Sequence, residues 1–483
     1  MQRHLDIGVV GLGYVGLVTA TGLVTSGHRV RAYDANVERI DALRAGRLPI
    51  TEPGVERLLR GPEGERFSVH HDLGDAIRDA DVVLVAVGTD DGRGGWQTDT
   101  MDRALRAVAP LVRRGAVLAV RSTLPPQYVT HLAERVALIR GNRGIGVVLN
   151  PEFTREGTAL NDFLHADRVV IGIADDPHGT ALEIMEAVYA PIDAPIVVMR
   201  AVDASLAKLA SNLFLATKIS FANEIANLAD LHGAQVDDVL KVVGLDPRIG
   251  ASFMRPGVGF GGSCLPHQVT MTVREGEALG YSAPLIAAVD EVNRRQRQRP
   301  VDELLEHFGG SVRGRQVALL GLAFKPGTDD LREAPALDIA RDLLDAGARV
   351  VATDPLAPTR ERAAALAPGL EVCADVDQAV AGAEATILVT EWPEYSALDW
   401  RGIARRMAGS LVIDGRNALP PEAITDAGLI YRGYGRGGPP LGRRSGARTS
   451  VTNAHALPVG VELAATTLHR QERGAVGDTV PAS

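Results

Sequence analysis

The sequence predicts an α/β protein in which two Rossmann-like, doubly wound domains are joined by a central helical domain. Three observations carry the prediction. Short β-like runs alternate with helical stretches over the first 200 residues, a long helical pattern begins at Asp203, and a second strand–helix alternation starts near Gln316. Alternation of this kind is what a mostly parallel sheet covered by helices on both faces produces.

In the first block, residues 7–10, 29–33, 82–87, 117–121 and 147–149 read as buried strands. Their ends carry Gly, Asp or Thr, where ligand-facing loops lie in this architecture. In the middle, Leu206, Leu209, Leu213, Ile225 and Leu228 recur on related faces of a helix. Further helix is expected from Val269 to about His307, interrupted once at Pro300. Residues 316–320, 349–353, 385–389 and 411–413 are the expected strands of the second block. The domains are thus placed at 1–200, 201–305 and 306–436. After Arg436 the aromatic residues stop and Gly, Pro, Arg, Ser and Ala dominate, so 437–483 is expected to be a disordered tail. Arg443, Arg444 and Arg448 give that tail a second reading as a basic tether.

A chain of 483 residues is long enough for about three domains. Its net charge of −9 opposes a nucleic-acid or anionic-membrane surface. Two cysteines, Cys264 and Cys373, cannot build a disulfide framework, which fits a reducing compartment. The N-terminus runs straight into a strand without a signal-peptide pattern. No apolar run approaches the ~20 residues of a membrane-spanning helix. The expectation is a cytoplasmic protein with neither a nucleic-acid nor a membrane partner.

Gly11-Leu12-Gly13-Tyr14-Val15-Gly16 follows the first strand and opens a helix. In such a fingerprint Gly11 permits the tight turn, Gly13 lets the backbone approach a pyrophosphate, and Gly16 lets helix pack on strand. The helix N-terminus then offers amide donors to the phosphates. Asp34, ending the second strand, is placed to accept hydrogen bonds from a ribose diol, which favours NAD over NADP. Arg31 and Arg39 stand close enough to bias the site the other way, and Gly88-Thr89 should line the same cleft.

Far downstream, Gly259-Phe260-Gly261-Gly262-Ser263-Cys264 places a thiol behind a glycine-rich approach. Cys264 is either a small packed residue or a nucleophile. A thiol beside NAD permits a chemistry closed to a plain alcohol dehydrogenase. It traps an aldehyde as a thiohemiacetal, lets a second hydride leave, and holds the product as a thioester for hydrolysis. Cys373 reads as structural. Lys208 and Asn212, four apart, share a helix face, either as a solvated stripe or as a cation and an amide aimed at a substrate oxygen. Glu152, in the carboxylate-dense turn 150–157, is a loop residue or a base for water.

Together these segments resemble the UDP-glucose/GDP-mannose dehydrogenase family, and within it the UDP-glucose 6-dehydrogenases. The matches are the fingerprint at 11–16, Glu-Pro-Gly at 52–54, Ser-Thr-Leu-Pro at 122–125 and Asn-Pro-Glu-Phe-Thr-Arg-Glu-Gly at 150–157. They continue with Lys-Leu-Ala-Ser-Asn at 208–212, Arg-Ile-Gly at 248–250, the cysteine loop, Gly-Leu-Ala-Phe-Lys-Pro-Gly-Thr-Asp-Asp at 321–330 and Asp-Gly-Arg-Asn at 414–417. The resemblance implies NAD-dependent, four-electron oxidation of a sugar C6 alcohol to a carboxylate, with Cys264 as nucleophile. It implies that Thr123 orders the catalytic water, Glu152 assists thioester hydrolysis, Lys208 stabilises the oxyanion and Asn212 holds the sugar. Phe153, Glu156, Phe260, Gly261, Lys325 and Arg416 would contact the nucleotide-sugar. Thr89, Thr123, Arg39, His267 and Arg332 would join Asp34, Tyr14, Val15 and the fingerprint glycines around the cofactor. Arg248 would reach into a neighbouring subunit, in a homodimer built on the central helical dimerisation domain.

The chain departs from the family pattern at one place. The cysteine loop, normally Cys-x-Pro-Lys-Asp, reads Cys264-Leu265-Pro266-His267-Gln268. His267 still donates hydrogen bonds, but Gln268 is neutral and is no base. Loss of one such group costs about 10²–10⁴ in rate. It leaves open a slow enzyme, one stalled after the first or second hydride, a relative tuned to dTDP-glucose or GDP-mannose in which another group takes over, or a chain that binds NAD and nucleotide-sugar with little or no catalysis.

Overall fold

The computed structural model describes residues 4–90 and 95–437, so the expected tail from 438 onward, with its arginines, lies outside the described residues. Eight strands form the first sheet: β1 (Asp6–Val10), β2 (Arg29–Tyr33), β3 (Phe67–Val69), β4 (Val82–Val85), β5 (Val117–Val120), β6 (Gly146–Leu149), β7 (Val169–Asp175) and β8 (Ile196–Arg200). Their order is β3-β2-β1-β4-β5-β6-β7-β8. Residues of β4 alternate between the two faces, as the strand period requires. Val82 and Leu84 pack with Leu17 and Leu23 of the fingerprint helix Tyr14–Thr25, while Val83 and Val85 join Leu105 and Val108 behind the sheet. Burial on both faces is why these strands read as unbroken apolar runs.

The sheet differs from the expectation in one join. β7 runs antiparallel to β6, pairing Leu149 with Gly172, and β8 is parallel to β7. Sequence reading had missed β3, β7, β8 and two strands of the second sheet. β3 is a three-residue, half-exposed edge with no apolar run to notice, whereas β7 and β8 carry as clear a β-branched signal as the strands foreseen.

The second sheet holds β9 (Gln316–Leu320), β10 (Arg349–Thr353), β11 (Glu371–Val372), β12 (Ala385–Leu388), β13 (Leu411–Asp414) and β14 (Ile430–Gly433), in the order β11-β10-β9-β12-β13-β14 and parallel throughout. Its opening turn repeats that of the first. Gly11 has φ 93° and Gly321 φ 90°. Gly11 donates to the Tyr33 carbonyl and Gly321 to the Thr353 carbonyl, both at 2.9 Å. Leu12 N–H then donates to Asp34 at 2.6 Å, and Leu322 N–H to Asp354 at 2.8 Å. The frames diverge above the carboxylate: Trp392 Nε1 donates to Asp354 at 3.1 Å and Asp354 is 1% exposed.

Between the sheets lie four longer helices, Ala201–His232, Val236–Leu245, Leu265–Ala278 and Pro284–His307. Two expectations are corrected here. Pro300 does not interrupt the last helix, because Asn293, Gln296, Arg299 and Leu304 hold its buried side through the proline. The break falls earlier, where Gly280 (φ 82°) and Ala283 (φ 44°) leave helical geometry and Pro284 opens the next helix. The five apolar residues of the central helix also do not share one face. Leu209 and Leu213 are buried, but Leu206 is 57% and Leu228 50% exposed, in line with Phe214, Phe221 and Leu231. Among the described residues no helix is long and apolar enough to cross a membrane, and no His, Cys, Asp and Glu cluster suits a metal.

Candidate active site

A cavity of about 900 Å³ opens between the first sheet, the central helix and the second sheet. Cys264 lies on it as the cap of the helix Leu265–Ala278, exposed to the cleft. The loop before it is threaded through a narrow gap. Asn293, on the long helix Pro284–His307, grips its backbone: Phe260 N–H donates to Asn293 Oδ1 at 2.8 Å, and Asn293 Nδ2 donates to the Phe260 carbonyl at 3.2 Å. At Gly261 a methyl group would stand 2.3 Å from the Glu333 carbonyl oxygen, so only glycine passes. Crowding by protein atoms pushes the Cys264 thiol pKa up, against the lowering pull of Lys208. The sulfur therefore waits as a thiol.

Lys208 and Glu152 meet in the same cavity, Nζ to Oε1 at 3.4 Å, with both side chains buried. Burial would raise the Glu152 carboxyl. Lys208, the Thr154 hydroxyl and amide (2.5 and 2.6 Å) and Arg121 overcome it and hold the group below the usual range. Glu152 is thus held ionised between the Lys208 ammonium on one oxygen and the two Thr154 donors on the other. Asn212 Nδ2 donates to Gln268 Oε1 at 3.0 Å, so the glutamine oxygen is taken up by the Asn212 amide. Phe153 lies beneath two cations, Arg168 at 3.9 Å and Lys208 at 5.1 Å from its ring centre.

Glu156 faces the second sheet. It accepts from Thr328 at 3.3 Å and from Arg332 at 3.2 Å. Desolvation and the neighbouring Asp330 push its pKa up to about 7, despite Arg332 and Lys325. Burial lowers the Lys325 pKa. A carboxyl that binds its proton more tightly when folded stabilises the fold at low pH, and that contribution is lost as pH rises through about 7. The melting temperature is expected to fall as pH rises from about 4.5 to about 7, to level off above that, and to fall less in Glu156→Gln; differential scanning calorimetry of both proteins checks this.

Other expected residues stand elsewhere. Arg248 pairs with Asp246 at 2.6 Å, its side chain 87% exposed, outside the cavity. Arg416 spends its guanidinium on the Val389 and Gly259 carbonyls, at 2.8 Å each, and so buttresses the cysteine loop from behind. Phe260 is buried under the loop, while Gly261 and Lys325 line the cavity. Thr123 offers its carbonyl to Thr89 Oγ1 at 2.7 Å. His267 is buried behind the thiol, Nδ1 3.7 Å from Asp90. Sequence reading missed Asn293, Arg168 and Arg121, whose roles arise from contacts with Phe260, Phe153 and Asn150, each far enough along the chain to leave no local pattern.

The fingerprint has the shape a dinucleotide needs. A methyl group at Gly13 or Gly88 would meet nothing within 4 Å, leaving open ground over the turn. Asp34 ends β2 with Arg39 Nη1 at 2.8 Å, whereas Arg31 is turned to Asp6 and Asp79. Models of the UDP-glucose/GDP-mannose dehydrogenase family match residues 5–193 as its NAD binding domain, 202–295 as its central domain and 318–421 as its UDP binding domain.

The chain belongs to this family.

Its relatives include UDP-glucose 6-dehydrogenase of Pseudomonas aeruginosa, 40% identical over 442 residues, covering 89% of this chain and 97% of the relative. UDP-glucose 6-dehydrogenase TuaD of Bacillus subtilis is 38% identical, covering 89% and 93%. A UDP-glucose dehydrogenase structure from Pyrobaculum islandicum superposes with a TM-score of 0.81 at 40% identity, covering 89% of this chain and 98% of that one. For a dehydrogenase of this family the cofactor is NAD, and the open turn at Gly13, the helix N-terminus at Tyr14 and the carboxylate of Asp34 are the residues that fit it.

Proposed function

We propose that this dehydrogenase oxidises UDP-glucose at C6 to UDP-glucuronate, in two steps, through a thiohemiacetal and a thioester on Cys264. The observation that carries the proposal is the meeting of Cys264, Lys208, Asn212 and Glu152 around one cavity that also takes in Lys325 of the UDP binding domain. NAD supplies the hydride acceptor for both oxidations. Lys208 Nζ holds the oxygen on C6 as negative charge gathers there. Cys264 Sγ adds to the aldehyde carbon as the thiol proton passes to the C6 oxygen, which keeps the aldehyde from escaping; the sulfur then remains bonded to that carbon as the thioester after the second oxidation, the hydroxyl proton being released. Glu152, ionised, takes a proton from water; the hydroxide adds to the thioester carbon, the C–S bond breaks, and the sulfur leaves reprotonated. Thr123, near the end of β5, is assigned to order that water. His267 and Arg332 are assigned to the cofactor side.

The Lys208–Glu152 pair supports catalysis without a carboxylate at position 268, since Lys208 already has its counter-charge. Wild-type protein is therefore expected to yield two NADH per UDP-glucose with UDP-glucuronate as product, and Gln268→Asp is expected to alter the rate and not that ratio. Absorbance at the nicotinamide band with product mass decides it. One NADH per sugar, or none with UDP-glucose while dTDP-glucose or GDP-mannose is consumed, would sink the assignment.

The exposed stripe Leu206, Phe214, Phe221, Leu228 and Leu231 supports a homodimer through the central helix. Sedimentation should give twice the chain mass, reduced to one by Leu228→Glu; a wild-type monomer refutes it. Two cysteines with no bond between them support a reducing, cytoplasmic setting.

A further inference from the structure

Glu52 belongs to the Glu-Pro-Gly segment at 52–54, to which neither the cofactor nor the sugar has given a role. It is buried. Its Oε2 accepts from the Tyr14 hydroxyl and, at 2.7 Å, from the Gly157 amide, and its Oε1 accepts from the Leu160 amide at 3.3 Å. Tyr14 opens the fingerprint helix, and its hydroxyl also lies 3.0 Å from the Gly157 amide. Gly157 ends the loop that carries Glu152 and Glu156. On its far side it abuts the UDP binding domain. At φ 81°, a methyl group there would stand 2.9 Å from the Gly327 carbonyl oxygen, two residues from Lys325. One carboxylate thus joins the start of the dinucleotide-binding helix to the loop holding two acidic site residues, and that loop rests on the opposite domain.

We propose that Glu52 is a positioning residue that transmits occupation of the dinucleotide site, through Tyr14 and Gly157, to the loop 150–157. The reasoning is one of shared acceptors. Tyr14 and the Gly157 amide compete for, and are aligned by, the same Oε2, so a ligand that fixes Tyr14 fixes the angle at which Gly157 is held. Gly157 has no slack on its other side, because the Gly327 carbonyl already occupies the space a side chain would take. Fixing it therefore fixes the loop. The consequence is that the Glu152–Lys208 contact, already made at 3.4 Å, is held more rigidly when NAD is seated.

The test reads the loop directly, by amide hydrogen exchange with and without NADH, and so does not depend on which sugar the enzyme takes. In wild type NADH is expected to slow exchange both at 11–16 and at 152–162, the second by about fivefold or more, the low end of ordinary coupling between sites. In Glu52→Gln, whose amide keeps an acceptor but loses the charge that holds both donors, slowing is expected at 11–16 only. Tyr14→Phe breaks the same link from the other end and should behave alike, which covers a Glu52→Gln chain that does not fold. Equal slowing at 152–162 in wild type and the variants, or none there in wild type, overturns the proposal. No slowing at 11–16 in wild type overturns the cofactor assignment and this proposal with it.

Discussion

Cys264→Ala is expected to lower UDP-glucuronate formation by at least ~10⁴-fold, the scale of losing a covalent nucleophile from an assembled site. The thiol is the cysteine on the cavity wall, since Cys373 lies just past β11 and its Sγ hydrogen-bonds to the Ala352 and Asp375 carbonyls. Alanine keeps the cap of the helix Leu265–Ala278 short and leaves the Asn293 grip on Phe260 untouched. NADH binding, followed by fluorescence quenching, should consequently survive. A variant that still makes two NADH per sugar would remove the thioester from the mechanism.

Glu152→Gln is expected to be the next largest loss, ~10²–10⁴ in kcat. It removes the base and strands Lys208, which is 3% exposed and has Glu152 as its ion-pair partner. Breaking a buried pair from one side also destabilises, by about 3–5 kcal/mol, so melting should be recorded beside the kinetics. The distinguishing signature is covalent. If Glu152 activates the water, the thioester should accumulate, and intact-mass measurement after mixing with NAD and UDP-glucose should find the sugar nucleotide bonded to the chain. A slow variant that carries no such adduct would place Glu152 ahead of the thioester instead.

Much of this was legible in residues that are close in sequence. The fingerprint at 11–16, Asp34, and the Lys208–Asn212 pair each follow from a local spacing, and the structure places them where a parallel sheet and a helix face require. What was illegible depends on side chains meeting across the chain. Nothing near Asn293 announces that it holds the cysteine loop, and nothing near Arg416 says that it would brace Gly259. Pro300 misled because its local rule, that proline ends helices, was outweighed by burial along one side. Leu206 and Leu228 misled because this helix is apolar on more than its core face.

The cork of Trp392 over Asp354 has a consequence for traffic. Like-shaped turns open the two sheets, but in one the carboxylate accepts a hydrogen bond from an indole, while in the other it is covered by Arg39, whose side chain is 34% exposed. Only the second is left as a seat for a dinucleotide ribose. On the route proposed above, two oxidations of one sugar share one seat in turn, so the spent cofactor would leave and a fresh one enter between them, while the half-oxidised sugar stays tethered to sulfur.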